Sequence, residues 1–133
     1  MPANVPASLG YRMPAEWEPH RATWIAWPHN RHDWPGKFSP IPWIYVEIVR
    51  HLHRRERVRI LAMDTARPKR MLARAGVDLG QVDFYPYPTD RVWTRDYGPM
   101  FIKNESQLAI IAGDSTPGPS TPTGVVTHAS ALA

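Results

Sequence analysis

The run WIYVEIVRHLHRRERVRILAM, residues 43–63, changes its period halfway along. Across residues 43–56 the apolar side chains Ile44, Ile48 and Leu52 return every fourth position, and Tyr45 and Val49 widen the stripe. That spacing predicts an amphipathic helix with one face turned to a core. Pro42 suits its first turn. Arg50, His51, His53, Arg54 and Arg55 crowd its end, where the helix dipole favours cations. From residue 57 the pattern becomes that of a strand, with Val58 and Ile60 on one face and Leu61 and Met63 close by. A helix running into a strand is half of a βαβ unit, and the other half stands just upstream. ATWIAWP, residues 22–28, is a short β-branched and aromatic run that stops at Pro28 and reads as a buried strand. The intervening residues 29–42 form a loop with a turn at Pro35-Gly36.

Downstream the alternation continues. Residues 65–76, TARPKRMLARAG, predict a shorter helix with Pro68 near its start and Gly76 as a left-handed stop. QVDFYPY, residues 81–87, is a third strand. A charged loop follows, and then MFIK and QLAII, joined by a turn at Asn104, Glu105 and Ser106, predict a hairpin. The order β-α-β-α-β-loop-β-β places the chain in the α/β class. Residues 1–20 form an irregular arm broken by four Pro. Two segments are expected, residues 1–111 and residues 112–133. The second is dominated by Gly, Ala, Ser, Thr and Pro and lacks aromatic residues. Such a composition buries too little apolar surface to offset chain entropy, so the expectation is a disordered tail.

At 133 residues and 43% hydrophobic, the chain suits one globular domain. Its formal charge of +4 permits weak attraction to anions without implying a nucleic-acid partner. The absence of Cys excludes disulfides and thiolate chemistry within the chain. The first twenty residues do not have the form of a signal peptide, and no apolar run is long enough to span a bilayer. A cytoplasmic protein with no membrane partner is the expectation.

Chemistry concentrates in PTDRVWTRDYGPMFI, residues 88–102. Asp90, Arg91, Arg95 and Asp96 could simply pair on a solvated loop, with Trp93 as an ordinary core ring. The same residue types could also bind a flat cation. A carboxylate accepts a guanidinium through two parallel hydrogen bonds, and an indole face attracts the same group. Trp93 and Asp96 are three apart, and Gly98-Pro99 then turns the chain into a strand. Arg95 could pair with Asp90 or another acid and hold the loop in shape. Elsewhere the signals are weaker. His29 to Asp33 lies between Pro28 and Pro35, so no helix presents both His together, and no metal site is expected. His51 and His53 fall on different helix faces. The basic cluster of residues 50–59 has no interleaved rings for base stacking, so no nucleic acid is expected.

Three strings resemble agmatine deiminases, in the family that includes the bacterial-type peptidylarginine deiminases: YRMPAEWEPHRATWIAWPHNRHDWPGKF, PIPWIYVEIVRHL and PTDRVWTRDYGP. The resemblance runs from about residue 10 to residue 111. It implies a pentein-type β/α propeller of ββαβ modules, of which this chain would supply the first portion. It implies hydrolysis of agmatine to N-carbamoylputrescine and ammonia, a step toward putrescine and other polyamines, with no cofactor and no metal. Carried across residue by residue, Asp96 matches the acid that grips the guanidinium, and Trp93 matches a ring that walls the pocket. Asp90 and Arg95 match neighbouring motif positions with supporting roles.

The resemblance also implies a nucleophilic Cys, a His and a second Asp further along the complete enzyme. None of the matching positions falls in this chain, so the chain alone is expected to be inactive, and homo-oligomers are an expectation for the complete enzyme only. A lost base near residue 112 would account for the change in composition. With permitted third bases, the frame shifted over residues 112–126 can spell a continuation resembling the family's. The alternatives are a non-catalytic interaction module of the same fold and a relative acting on peptidyl-arginine.

Overall fold

The computed structural model describes residues 5–112 and 125–128. The chain divides into two compact units, Pro19–Asp96, and Met1–Glu18 with Tyr97–Ala133.

The unit Pro19–Asp96 is a parallel sheet with crossover helices. Its elements are β1 (Ala22–Ala26), α1 (Ile41–Leu52), β2 (Arg57–Leu61), α2 (Ala66–Arg74) and β3 (Val82–Tyr85), and the strands lie in the order β1-β2-β3. Register places Ile25 beside Ile60 and Ile60 beside Phe84, with Thr23, Val58 and Val82 in the neighbouring row. Strand alternation turns both rows to one face of the sheet. That face carries the core: Val58 and Ile60 are fully buried, together with Val46, Val49 and Leu72 from the two helices. Gly76 ends α2 in the left-handed conformation expected of it, at φ 75°. The opposite face is polar and partly open. There Arg57 reaches Asp83 at 2.8 Å, and the Arg59 guanidinium lies 5.3 Å from the Trp24 ring centroid.

Part of the predicted stripe of α1 meets the core: Val49 is buried, and Tyr45 and Leu52 pack against the cluster. Pro42, Val46, Val49 and His53 are buried, whereas Ile44 and Ile48 are 50% and 40% exposed. The helix is apolar around more than half its circumference, so hydrophobicity alone does not choose a face. Compact Val46 and Val49 allow the close approach to the sheet, and the His53 ring is accommodated because its Nδ1 lies 3.0 Å from the Val49 carbonyl oxygen. The helix also stops at Leu52 rather than residue 56, with residues 53–56 forming the turn into β2.

The other unit contains β4 (Met100–Lys103), β5 (Leu108–Ala112) and β6 (Val125–His128), antiparallel in that order. The β4–β5 turn is the one predicted: the Asn104 side-chain oxygen accepts from the amides of Ser106 and Gln107, at 3.1 and 2.8 Å. Within residues 112–133, where a disordered tail is expected, Val125–His128 pairs with β5. Val125, Val126 and Thr127 are β-branched, and β5 offered them an unpaired edge. The rest of the tail beyond residue 112 lies outside the described residues.

The N-terminal arm joins this sheet. Arg12 bridges to Lys103, and the Tyr11 hydroxyl donates to Gln107 Oε1 at 2.7 Å, over a small core of Tyr11, Ile102 and Ala109. Glu18 ties arm to strand through Arg12 at 2.5 Å and Lys103 at 2.7 Å. Hydrogen bonds from Arg12, then Lys103, then the Ala15 amide hold its carboxyl far below the usual carboxylate range. A carboxyl whose pKa falls on folding contributes stability that is complete above its unfolded value. That contribution is lost as pH falls through the folded value. Amide protection at Arg12 and Lys103 should therefore hold steady from neutral pH down to about 4.5, then weaken on further acidification. Glu18→Gln should show the weakened protection at every pH, which hydrogen exchange can read.

Candidate functional site

Beyond the carboxyl ends of β1 and β3, two loops meet. Open α/β sheets bind ligands at this edge, where backbone leaves the strands and side chains converge. The loop after β1 contains a 3-10 turn, Arg31–Asp33, not foreseen from sequence; Asn30 caps it by accepting from the His32 amide at 3.0 Å. The loop after β3 starts with Pro86 and Pro88, which keep it from continuing as helix. It is anchored by buried Val92 and closes into a single helical turn, α3 (Thr94–Tyr97). The Thr94 amide donates to the Val92 carbonyl at 2.8 Å, and the Asp96 amide to the Trp93 carbonyl at 3.0 Å.

Trp93 and Asp96 therefore belong to one turn, and both side chains are open to solvent, Trp93 at 50%. Three contacts within the unit tie their loop to the loop after β1. Asn30 Nδ2 lies 3.4 Å from both the carbonyl and a carboxylate oxygen of Asp90. Arg91 Nη1 pairs with Asp33 Oδ1. The Trp34 and Trp93 rings lie 6.2 Å apart at 39°. The Asp33 side chain is wholly buried, and its Oδ2 has no hydrogen-bond partner among the described residues.

Asp90 is engaged by Asn30 and, at 3.8 Å, by Arg91. Asp90 itself is largely exposed, and Arg95 sits on the exposed side of α3. Asn30, Asp33 and Trp34 were not singled out for this site, and Arg91 only as a residue able to pair on a solvated loop. The sequence signal that could have found them is positional: polar and aromatic residues directly after two strands of one parallel sheet tend to meet.

Trp34 also lines an open cavity of about 370 Å³, with Arg31, Gly36, Phe38, Ser39 and Arg67. Among the described residues its lining has two guanidinium groups and no carboxylate, the wrong polarity for a cation. Among the described residues no cluster of three or more His, Asp or Glu could hold a metal ion, and no helix is long and apolar enough to cross a membrane.

The family model for the Porphyromonas-type peptidyl-arginine deiminases matches residues 12–114. An agmatine deiminase of Pseudomonas aeruginosa strain LESB58 is 34% identical over 101 residues, which are 76% of this chain and 27% of that protein. One of Stutzerimonas stutzeri strain A1501 is 30% identical over 103 residues, 77% of this chain and 27% of that protein. This chain thus spans little more than a quarter of the curated relatives it matches. Among solved structures, a C. jejuni agmatine deiminase superposes with a TM-score of 0.64 at 21% identity, over 78% of this chain and 31% of that one. The agmatine deiminase of Enterococcus faecalis gives 0.64 at 20% identity, over 83% and 29%. At these identities the likeness is one of fold, and it agrees with an α/β portion of a larger deiminase architecture.

Proposed function

The chain belongs to the Porphyromonas-type peptidyl-arginine deiminase family, and from that premise we propose that it carries the guanidinium-recognition part of an agmatine deiminase. The observation that carries this reading is the single turn presenting an indole, Trp93, and a carboxylate, Asp96, at the carboxyl edge of a parallel sheet. Asp96 would take two N–H groups of a flat guanidinium, and the Trp93 face would lie against its plane. Holding the nitrogens in this way orients the guanidinium carbon for attack and discriminates against a plain amine.

The reaction is hydrolysis of agmatine to N-carbamoylputrescine and ammonia, which feeds putrescine formation in the cytoplasm. It needs a nucleophile at the guanidinium carbon, an acid for the departing ammonia and an activated water. The chain contains no Cys, and a Ser or Thr hydroxyl would need an adjacent base to replace a thiolate. The 133-residue chain therefore recognises and does not hydrolyse.

The test is an NMR titration of the 133-residue protein with agmatine, with putrescine as the amine that lacks the guanidinium. Agmatine should shift the Trp93 indole signal and the amides of residues 90–97, putrescine should leave them in place, and no ammonia should be released. An equal response to putrescine defeats the guanidinium reading. Ammonia release defeats the inactivity.

A further inference from the structure

We infer that Asp33 is a positioning residue: through Arg91 it fixes the turn that presents Trp93 and Asp96. The inference rests on the guanidinium reading above and adds to it a residue outside the motif. A lone four-residue helical turn does not hold itself in water, because nucleation costs more than one turn of hydrogen bonds returns. The turn here follows a loop that leaves β3 at Tyr85. Something must supply its order. Three contacts from the loop after β1 do so in sequence, Asn30 to Asp90, Asp33 to Arg91 and Trp34 to Trp93.

The middle contact is the unusual one. The Asp33 side chain is 0% exposed, while Arg91 is 47% exposed. Asp33 spends one oxygen on Arg91 and leaves the other buried with no hydrogen-bond partner among the described residues. A buried carboxylate with unmet hydrogen-bonding capacity costs stability, and an apolar or neutral residue would fill the space at lower cost. Stability therefore does not explain the arrangement. What the pair contributes is geometry: it fixes Arg91 two residues before Trp93, and the ring of Trp34, the residue next to Asp33, meets Trp93 itself.

The asymmetry gives a test that a merely structural pair would fail. In Asp33→Asn the half-exposed Arg91 keeps solvent and its contact with Asp90 at 3.8 Å, so the melting midpoint should not fall. The Trp34–Trp93 exciton signal in circular dichroism, defined as the part lost in Trp34→Phe, should collapse. Agmatine affinity should fall about tenfold, ~1.4 kcal/mol. Arg91→Lys, which keeps the charge pair, should retain most of the signal. The inference is overturned if Asp33→Asn keeps both the exciton signal and the affinity. It is equally overturned if the signal is lost only together with a fall in melting midpoint, which is the mark of a structural pair. Should wild type ignore agmatine altogether, the guanidinium reading falls, while the dichroism and melting data still decide whether Asp33 orders the turn.

Discussion

Leu72→Ala is expected to lower the unfolding free energy of the Pro19–Asp96 unit by about 2–5 kcal/mol. Leu72 is 0% exposed and lies on α2 within the cluster that includes Val46, Val49, Val58 and Ile60. Truncation removes the transfer free energy of the lost carbons and leaves a cavity. Close-packed surroundings fill such a cavity only in part. The neighbourhood has little freedom to collapse, because the Leu72 carbonyl accepts from the amides of Ala75 and Val77, both at 3.1 Å, in the turn that ends the helix. Whole domains have only about 5–15 kcal/mol of stability, so the upper end of the range would leave this unit largely unfolded. Ile44→Ala, on the exposed side of α1, should change stability by about 0.5 kcal/mol or less. Urea unfolding followed by circular dichroism compares the two variants directly. Equal losses would mean that α1 buries the Ile44 stripe after all and that the core is not the one described.

That comparison also marks where sequence stopped being informative. β2 was legible because Val58 and Ile60 are separated by Arg59, and only one register buries both while keeping the charge off the core. α1 was legible as a helix and in part in its orientation: Tyr45, Val49 and Leu52 meet the core, whereas Ile44 and Ile48 do not, because the helix is apolar on more than one side and the sheet makes the choice. α3 carried no periodicity to read, because four residues with two charges do not define a face. The candidate site divides in the same way. Trp93 and Asp96 could be picked out because a ring and an acid three apart suit one flat cation. Asp33 could not, because it lies 58 residues before Arg91 and only the parallel order of β1, β2 and β3 brings their loops together.

Asp96→Asn is expected to weaken agmatine binding roughly tenfold to a hundredfold, from loss of charge-assisted hydrogen bonds worth about 1.5–3 kcal/mol. Trp93→Ala should weaken it less, by the roughly 0.5–2 kcal/mol of a cation–π contact. The ranking follows from what each side chain supplies. The carboxylate provides both charge and the paired acceptors that match a guanidinium, whereas the indole supplies only a polarised face. Both groups are open to solvent in this chain, so screening places the expected losses toward the lower ends of these ranges. Two further outcomes separate recognition from incidental attraction to a charged loop. Trp93→Phe should retain part of the affinity that Trp93→Ala loses, because a ring face remains. Added salt should weaken agmatine binding to the wild type far more than to Asp96→Asn, since the variant has already lost the attraction that salt screens. The two single losses should not simply add in the double variant, because the residues share one turn and one ligand. Affinity for agmatine unchanged in Asp96→Asn would remove the carboxylate from the site and leave the turn as an ordinary charged loop.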